Sequence, residues 1–137
     1  MKLIGAILLI FSYLYHFVLG LILTAVASLA LSSGQPNLNL GMLPWKGEQL
    51  TYWVLALGVA AIVFVLLAVT NLFRWLFPIW CLLVVWLMIR GFFIAGSYTF
   101  SGASNFRGVV WLVLGAIVAF LASLQLYKPR PIRAARA

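Results

Sequence analysis

The chain has 137 residues, 66% of them hydrophobic and 7% charged, and its mean hydropathy of +1.20 lies far from the soluble range, where about a quarter of residues carry charge. That composition leaves no room for a soluble catalytic domain, and four spans of roughly 20 residues each with short connections account for the length. The formal charge of +8 comes from nine Lys and Arg against one acid, Glu48; the basic residues lie mostly at the ends of apolar runs, where topology and lipid headgroups explain them and nucleic acid is not expected.

Span one is expected over residues 3–31. It begins like a secretory signal, with Lys2, a long apolar stretch and a small-residue Ala25-Val26-Ala27 step. The apolar run is nearly twice as long as a signal h-region, so retention as a membrane helix is expected. Residues 32–49 then turn to Gly, Pro, Asn and Ser, which interrupt helix. Leu38, Leu40, Met42, Leu43 and Trp45 make this connection too apolar for a solvated loop. It is expected to lie against the membrane interface, a partner, or its own helix ends.

Span two is expected over residues 50–72 and span three over 76–97. So short a link requires neighbouring antiparallel helices, with Pro78 tolerated in a first turn where its missing N–H has no helical partner. A second polar loop leads to span four, residues 109–126. The basic tail 128–137 carries two prolines and cannot continue a buried helix.

Counting charges orients the chain. With the N-terminus cytoplasmic, that side holds Lys2, Arg74, Lys128, Arg130, Arg133 and Arg136, against Lys46 and Arg107 on the other. The expected fold is therefore an all-α integral membrane protein: four transmembrane helices in an antiparallel bundle, residues 1–127, with both termini on the cytoplasmic side. A bacterial inner membrane is the expected setting.

Helices in lipid associate through small residues and interhelical hydrogen bonds. In span one Ser12, His16, Gly20, Thr24 and Ser28 recur every four residues on one face. Span two offers Ala56 and Ala60, span three Gly91 and Ala95, and span four Gly115, Ala119 and Ser123. Trp45, Tyr52, Trp53, Trp75, Tyr98, Trp111 and Tyr127 suit interfacial belts, whereas Trp80 and Trp86 fall within span three.

Arg90 is the only charge between Trp75 and Phe106. An arginine near mid-bilayer costs at least about 2.5 to 3.5 kcal/mol on insertion scales and is rarely left alone. Counting about 1.5 Å per residue from Trp75 and from Lys2 puts Arg90 and His16 each roughly 20 Å along its helix. With Trp86 four residues before Arg90, these three are the candidate site for a quinone, pigment or lipid headgroup. Glu48 is the leading counter-charge within the chain, reached if Arg90 extends outward; otherwise the anion is a lipid phosphate, a partner carboxylate or a bound ligand, or Arg90 reaches headgroups and water with no specific partner.

His16 as a lone tetrapyrrole ligand, with Met88 a conceivable second haem ligand, is weighed against a histidine bonded to a nearby hydroxyl or carbonyl. The second is preferred, since tetrapyrrole-binding bundles generally supply more than one His. Cys81 is the only cysteine, so no internal disulfide forms. No metal-ligand spacing, paired carboxylates, Ser-His-acid set or phosphate loop is present. The expected function is non-catalytic: an accessory subunit packing in a larger membrane complex, with ligand holding or a homo-oligomeric pathway as alternatives. The expected partners are membrane lipids and other membrane subunits or copies of itself.

Overall fold

The structure is a computed structural model that describes residues 2–34, 45–94 and 102–127. Leu38, Leu40, Met42 and Leu43, the end of span three with Ala95, Tyr98, and the basic tail 128–137 lie outside the described residues.

All the described elements are helical. α1 runs Lys2–Ser32, α2 Gly47–Val69, α3 Leu76–Ile89 and α4 Ala103–Ser123. A π-helical turn, Arg90–Ile94, extends α3, and a 3-10 turn, Leu124–Tyr127, extends α4. Each of the four resulting helices is long and apolar enough to cross a membrane, which marks the chain as a membrane protein. α4 starts six residues before the expected 109, because Ala103 to Gly108 join the helix although Ser104, Asn105 and Arg107 are polar.

Local chemistry explains the ends. α1 closes where the Ser32 and Ser33 hydroxyls donate back to the Leu29 and Ala30 carbonyls at 3.0 and 2.8 Å, and Gly34 takes a left-handed φ of 72°. α2 opens with Glu48 in its first turn, where the helix dipole favours an acid. It closes where the Thr70 hydroxyl donates to the Leu66 carbonyl at 2.8 Å. Asn71 (φ 59°) and Phe73 (φ 48°) then turn left-handed, so the chain reaches α3 within six residues.

Four neighbouring pairs form the bundle: α1 with α2, α1 with α4, α3 with α4, and α2 with α3. The α1–α2 contact is the most extensive and the α2–α3 contact the least, although those two helices are joined by the shortest connection. The reason for the first lies at Gly20 and Gly58, where the backbones touch: a Cβ on Gly20 would fall 2.9 Å from the Gly58 carbonyl oxygen. Farther along, Ala27 packs with Leu50 and Val54, all fully buried. The main core runs through Ala61, Val65, Phe77, Cys81, Val84, Val113 and Ala116.

α1 overhangs α3. Tyr13 packs edge-on against Phe77, the second residue of α3, with ring centroids 5.2 Å apart. Eleven residues of α1, about 16 Å, therefore precede the level at which α3 begins.

Candidate functional site

Three places carry the chemistry of the bundle. The first is a polar knot in its core. His16 and Ser12 on α1, and Ser123 on α4, are fully buried, as is Cys81 on α3. The Ser12 hydroxyl donates to the Ala119 carbonyl at 2.8 Å, tying α1 to α4. His16 Nδ1 lies 3.0 Å from the Ser12 carbonyl oxygen. A carbonyl only accepts, so that nitrogen carries the proton, and Nε2 is left as a lone pair with no partner among the described residues. Cys81 Sγ sits 3.9 Å from Nδ1 and within hydrogen-bonding reach of Ser12 and Ser123.

This knot links three helices. With its ring proton committed to a carbonyl, His16 is not placed to take a proton from the Cys81 thiol. The imidazole is also wedged edge-on between Tyr15 and Phe77, each 5.3 Å away by ring centroids. Nε2 is buried, so a tetrapyrrole would have to displace packed side chains to reach it. Met88 is engaged elsewhere, its sulfur 3.9 Å from the Tyr15 hydroxyl, which donates to the Leu112 carbonyl at 2.8 Å. Among the described residues, no three His, Cys, Asp or Glu stand together as a metal set.

The second place is the outer face of α3. Arg90 is exposed, and Trp86, one turn earlier on the same face, is 56% exposed. His16 therefore does not share a site with them. The equal-depth expectation counted Lys2 as level with Trp75, whereas the overhang of α1 sets His16 beside Phe77 and Cys81. Arg90 stands nine residues beyond Cys81, about 13 Å farther along α3. Nor does Arg90 pair with Glu48, whose carboxylate accepts from the Tyr52 hydroxyl at 3.5 Å at the start of α2. Among the described residues no ion pair joins the two.

The third place is an apolar cleft. α2 and α3 diverge from their tight turn, and an apolar cleft of about 60 Å³ opens between them with α1 as its floor. Leu19 and Leu23 of α1, Leu57 and Ala61 of α2, and Trp80 and Leu87 of α3 line it. Trp80 stacks on Phe64 at 5.1 Å, bridging α2 and α3, and its buried indole N–H has no acceptor among the described residues.

The small-residue faces divide. Ser12, Gly20, Gly91, Ala119 and Ser123 are buried, and Thr24 and Gly115 partly so. Gly115 lies against Tyr15, whose ring would stand 3.0 Å from a Cβ there. Ser28 is exposed, and Ala27 takes the buried position instead. A four-residue step overshoots a full turn by about 40°, so the stripe winds off the packed face before reaching Ser28. On α2 Ala56 is exposed, Ala60 is partly buried against the main core, and Gly58 is buried in the contact with α1. Its signal was available as the one glycine inside the apolar body of α2.

Comparison with protein-family models, curated proteins and solved structures finds no match to this chain.

Proposed function

We propose that this chain is a non-catalytic integral-membrane subunit that packs in a larger membrane complex and meets its surroundings through the outer face of α3. In this reading the four helices form an antiparallel bundle in a bacterial inner membrane, with both termini on the cytoplasmic side, as the distribution of Lys and Arg favours. The observation that supports it is the exposure of Arg90. The polar groups that hold the bundle together are turned inward at His16, Ser12 and Ser123. Arg90, the one charge in the third span, is turned outward beside Trp86, so its counter-anion belongs to something outside the bundle. Holding an arginine in that position costs energy, and an external anion offsets the cost.

A photoreactive amino acid at Leu82, 52% exposed on α3, compared with one at Leu14, 59% exposed on α1, tests this reading in intact membranes. A second protein attached at Leu82 and not at Leu14 is the expected result. Adducts of twice the chain mass would replace the heteromeric reading with self-association. Lipid adducts alone at both positions, with a lone chain by native mass measurement, would overturn it.

A further inference from the structure

Outside the three places described above, a pocket of about 400 Å³ lies at the end of the bundle where α1 begins and α4 ends. We propose that this pocket holds the phosphate of an anionic membrane phospholipid, with Arg74 as its counter-charge. The proposal is independent of the outer face of α3.

The course of the chain makes the pocket. α1 continues past the level at which α3 begins, so Leu9 and Tyr13, one turn apart on one face, are met there by the α2–α3 turn and the 3-10 extension of α4. The Tyr127 hydroxyl donates to the Trp75 carbonyl at 2.9 Å and ties that extension to the turn. Asn71 and Phe73 are left-handed on either side of Leu72, and the turn they shape is inverted relative to one in water. Leu72, Phe73 and Trp75 are more than half exposed, whereas Arg74 between them is partly buried and lines the pocket. Lipid accepts the three apolar side chains, and the charge is held where a headgroup can reach it.

The walls select an anion on an apolar stem. Leu9, Val69 and Leu126 form one part of the lining; the Tyr13 hydroxyl, the Gln125 carboxamide and the Arg74 guanidinium, all able to donate, form another. The planar fork of an arginine matches two phosphate oxygens. No carboxylate side chain of this protein can take the place of that phosphate. The one acid, Glu48, opens α2, and the 23 residues of that helix, about 34 Å, separate it from the turn. Positive charge accumulates at this end instead: Lys2 starts α1, and the sequence after Tyr127 adds Lys128, Arg130, Arg133 and Arg136 without an acid. A headgroup ammonium would find no carboxylate here, so a lipid of net negative charge is preferred to a zwitterion. The volume suits a phosphate with its glycerol, within the range of small-molecule sites.

The test uses the intact chain in nanodiscs of phosphatidylcholine containing about a tenth of phosphatidylglycerol, followed by native mass spectrometry of the lipids retained after release. One phosphatidylglycerol retained per chain is expected. Arg74→Gln should lower that occupancy about fivefold, the effect of one basic residue on an anionic lipid. Tyr13→Phe, which keeps the ring that packs on Phe77, should lower it about threefold through the loss of one donor. Arg107→Gln makes the same change of charge at an exposed position near the start of α4 and should leave the occupancy unchanged. Millimolar inorganic phosphate should not displace the lipid. To place the headgroup, a photoreactive amino acid is set at Val69, which lines the pocket and is 54% exposed, or at Val59, 46% exposed on the same helix. Phosphatidylglycerol should be enriched over its bulk fraction among the adducts at Val69 and not among those at Val59.

Retention of the two lipids in their bulk ratio, or equal effects of Arg74→Gln and Arg107→Gln, overturns the site in favour of general attraction to a basic protein. Displacement by inorganic phosphate overturns the lipid as its source. Adducts at Val69 in the bulk ratio overturn the placement in the pocket.

Discussion

Gly20 and Gly58 bring the backbones of α1 and α2 into contact, with no side chain between them. A Cβ on Gly58 would stand 2.7 Å from the amide nitrogen of Thr24, and one on Gly20 would stand 2.9 Å from the Gly58 carbonyl oxygen. Close approach of this kind is how helices associate where lipid is as apolar as leucine.

Replacing Gly58 with Ala should therefore destabilise the bundle by about 1 to 3 kcal/mol, the range for overpacking. The obstacle is backbone as well as the Thr24 hydroxyl, so Thr24→Ala should not rescue Gly58→Ala. Unfolding in mixed micelles of mild and denaturing detergent measures both, and full rescue by the second substitution would show that the contact is side-chain only.

Ser12→Ala removes the hydroxyl that donates to the Ala119 carbonyl at 2.8 Å. Interhelical bonds of this type average about 0.6 kcal/mol in membrane proteins, and the expected cost is of that size. His16→Ala should cost more, about 2 to 5 kcal/mol, because a fully buried ring leaves a cavity between Tyr15 and Phe77. If the two variants unfold alike, the ring does not pack as described.

Arg90→Leu should leave the isolated bundle as stable as before, since the guanidinium is exposed and forms no ion pair among the described residues. Insertion should become easier by up to about 3 kcal/mol. Detergent unfolding of the purified chain checks the first statement and a membrane-insertion assay the second. A marked loss of stability in detergent would place the counter-charge within the chain.

Cys81 is fully buried, so a maleimide should not modify it in the folded bundle and should do so after denaturation in dodecyl sulfate. Mass measurement before and after denaturation reads this directly. Rapid labelling of the folded chain would contradict the position of Cys81 in the core.

Phe73 holds a φ of 48° and is 57% exposed. A non-glycine residue in that region costs about 1 to 2 kcal/mol, so Phe73→Gly should raise the midpoint of thermal unfolding. A lower midpoint would mean that the aromatic ring anchors the turn more strongly than its backbone strains it.

Much of this architecture is legible in the sequence, and the reasons differ from residue to residue. Four apolar runs declare four helices because only a helix satisfies its own backbone across a bilayer. The polar stripe of α1 points inward at Ser12, His16 and Gly20 because hydrogen-bonding and small residues have no use facing lipid. It fails at Ser28 because the helix repeat is 3.6 residues and not four. Gly58 is harder to see, since a small residue does not say which face it serves when Ala56 and Ala60 flank it. The depth of His16 relative to Arg90 is not legible at all. It depends on where α1 meets α3, and nothing in an apolar run marks that level. The cleft is equally hidden, because the divergence of α2 from α3 is a property of their packing and not of either sequence.

The overhang of α1 has a mechanical consequence. At 31 residues the helix is about 46 Å long, against a hydrocarbon thickness of about 30 Å. An apolar helix that is too long for its bilayer leans over or thickens the lipid around it. Because α1 touches α2 backbone to backbone at Gly20 and Gly58, the two lean together. A thinner membrane therefore acts on α1 and α2 as one unit, and not on α1 alone.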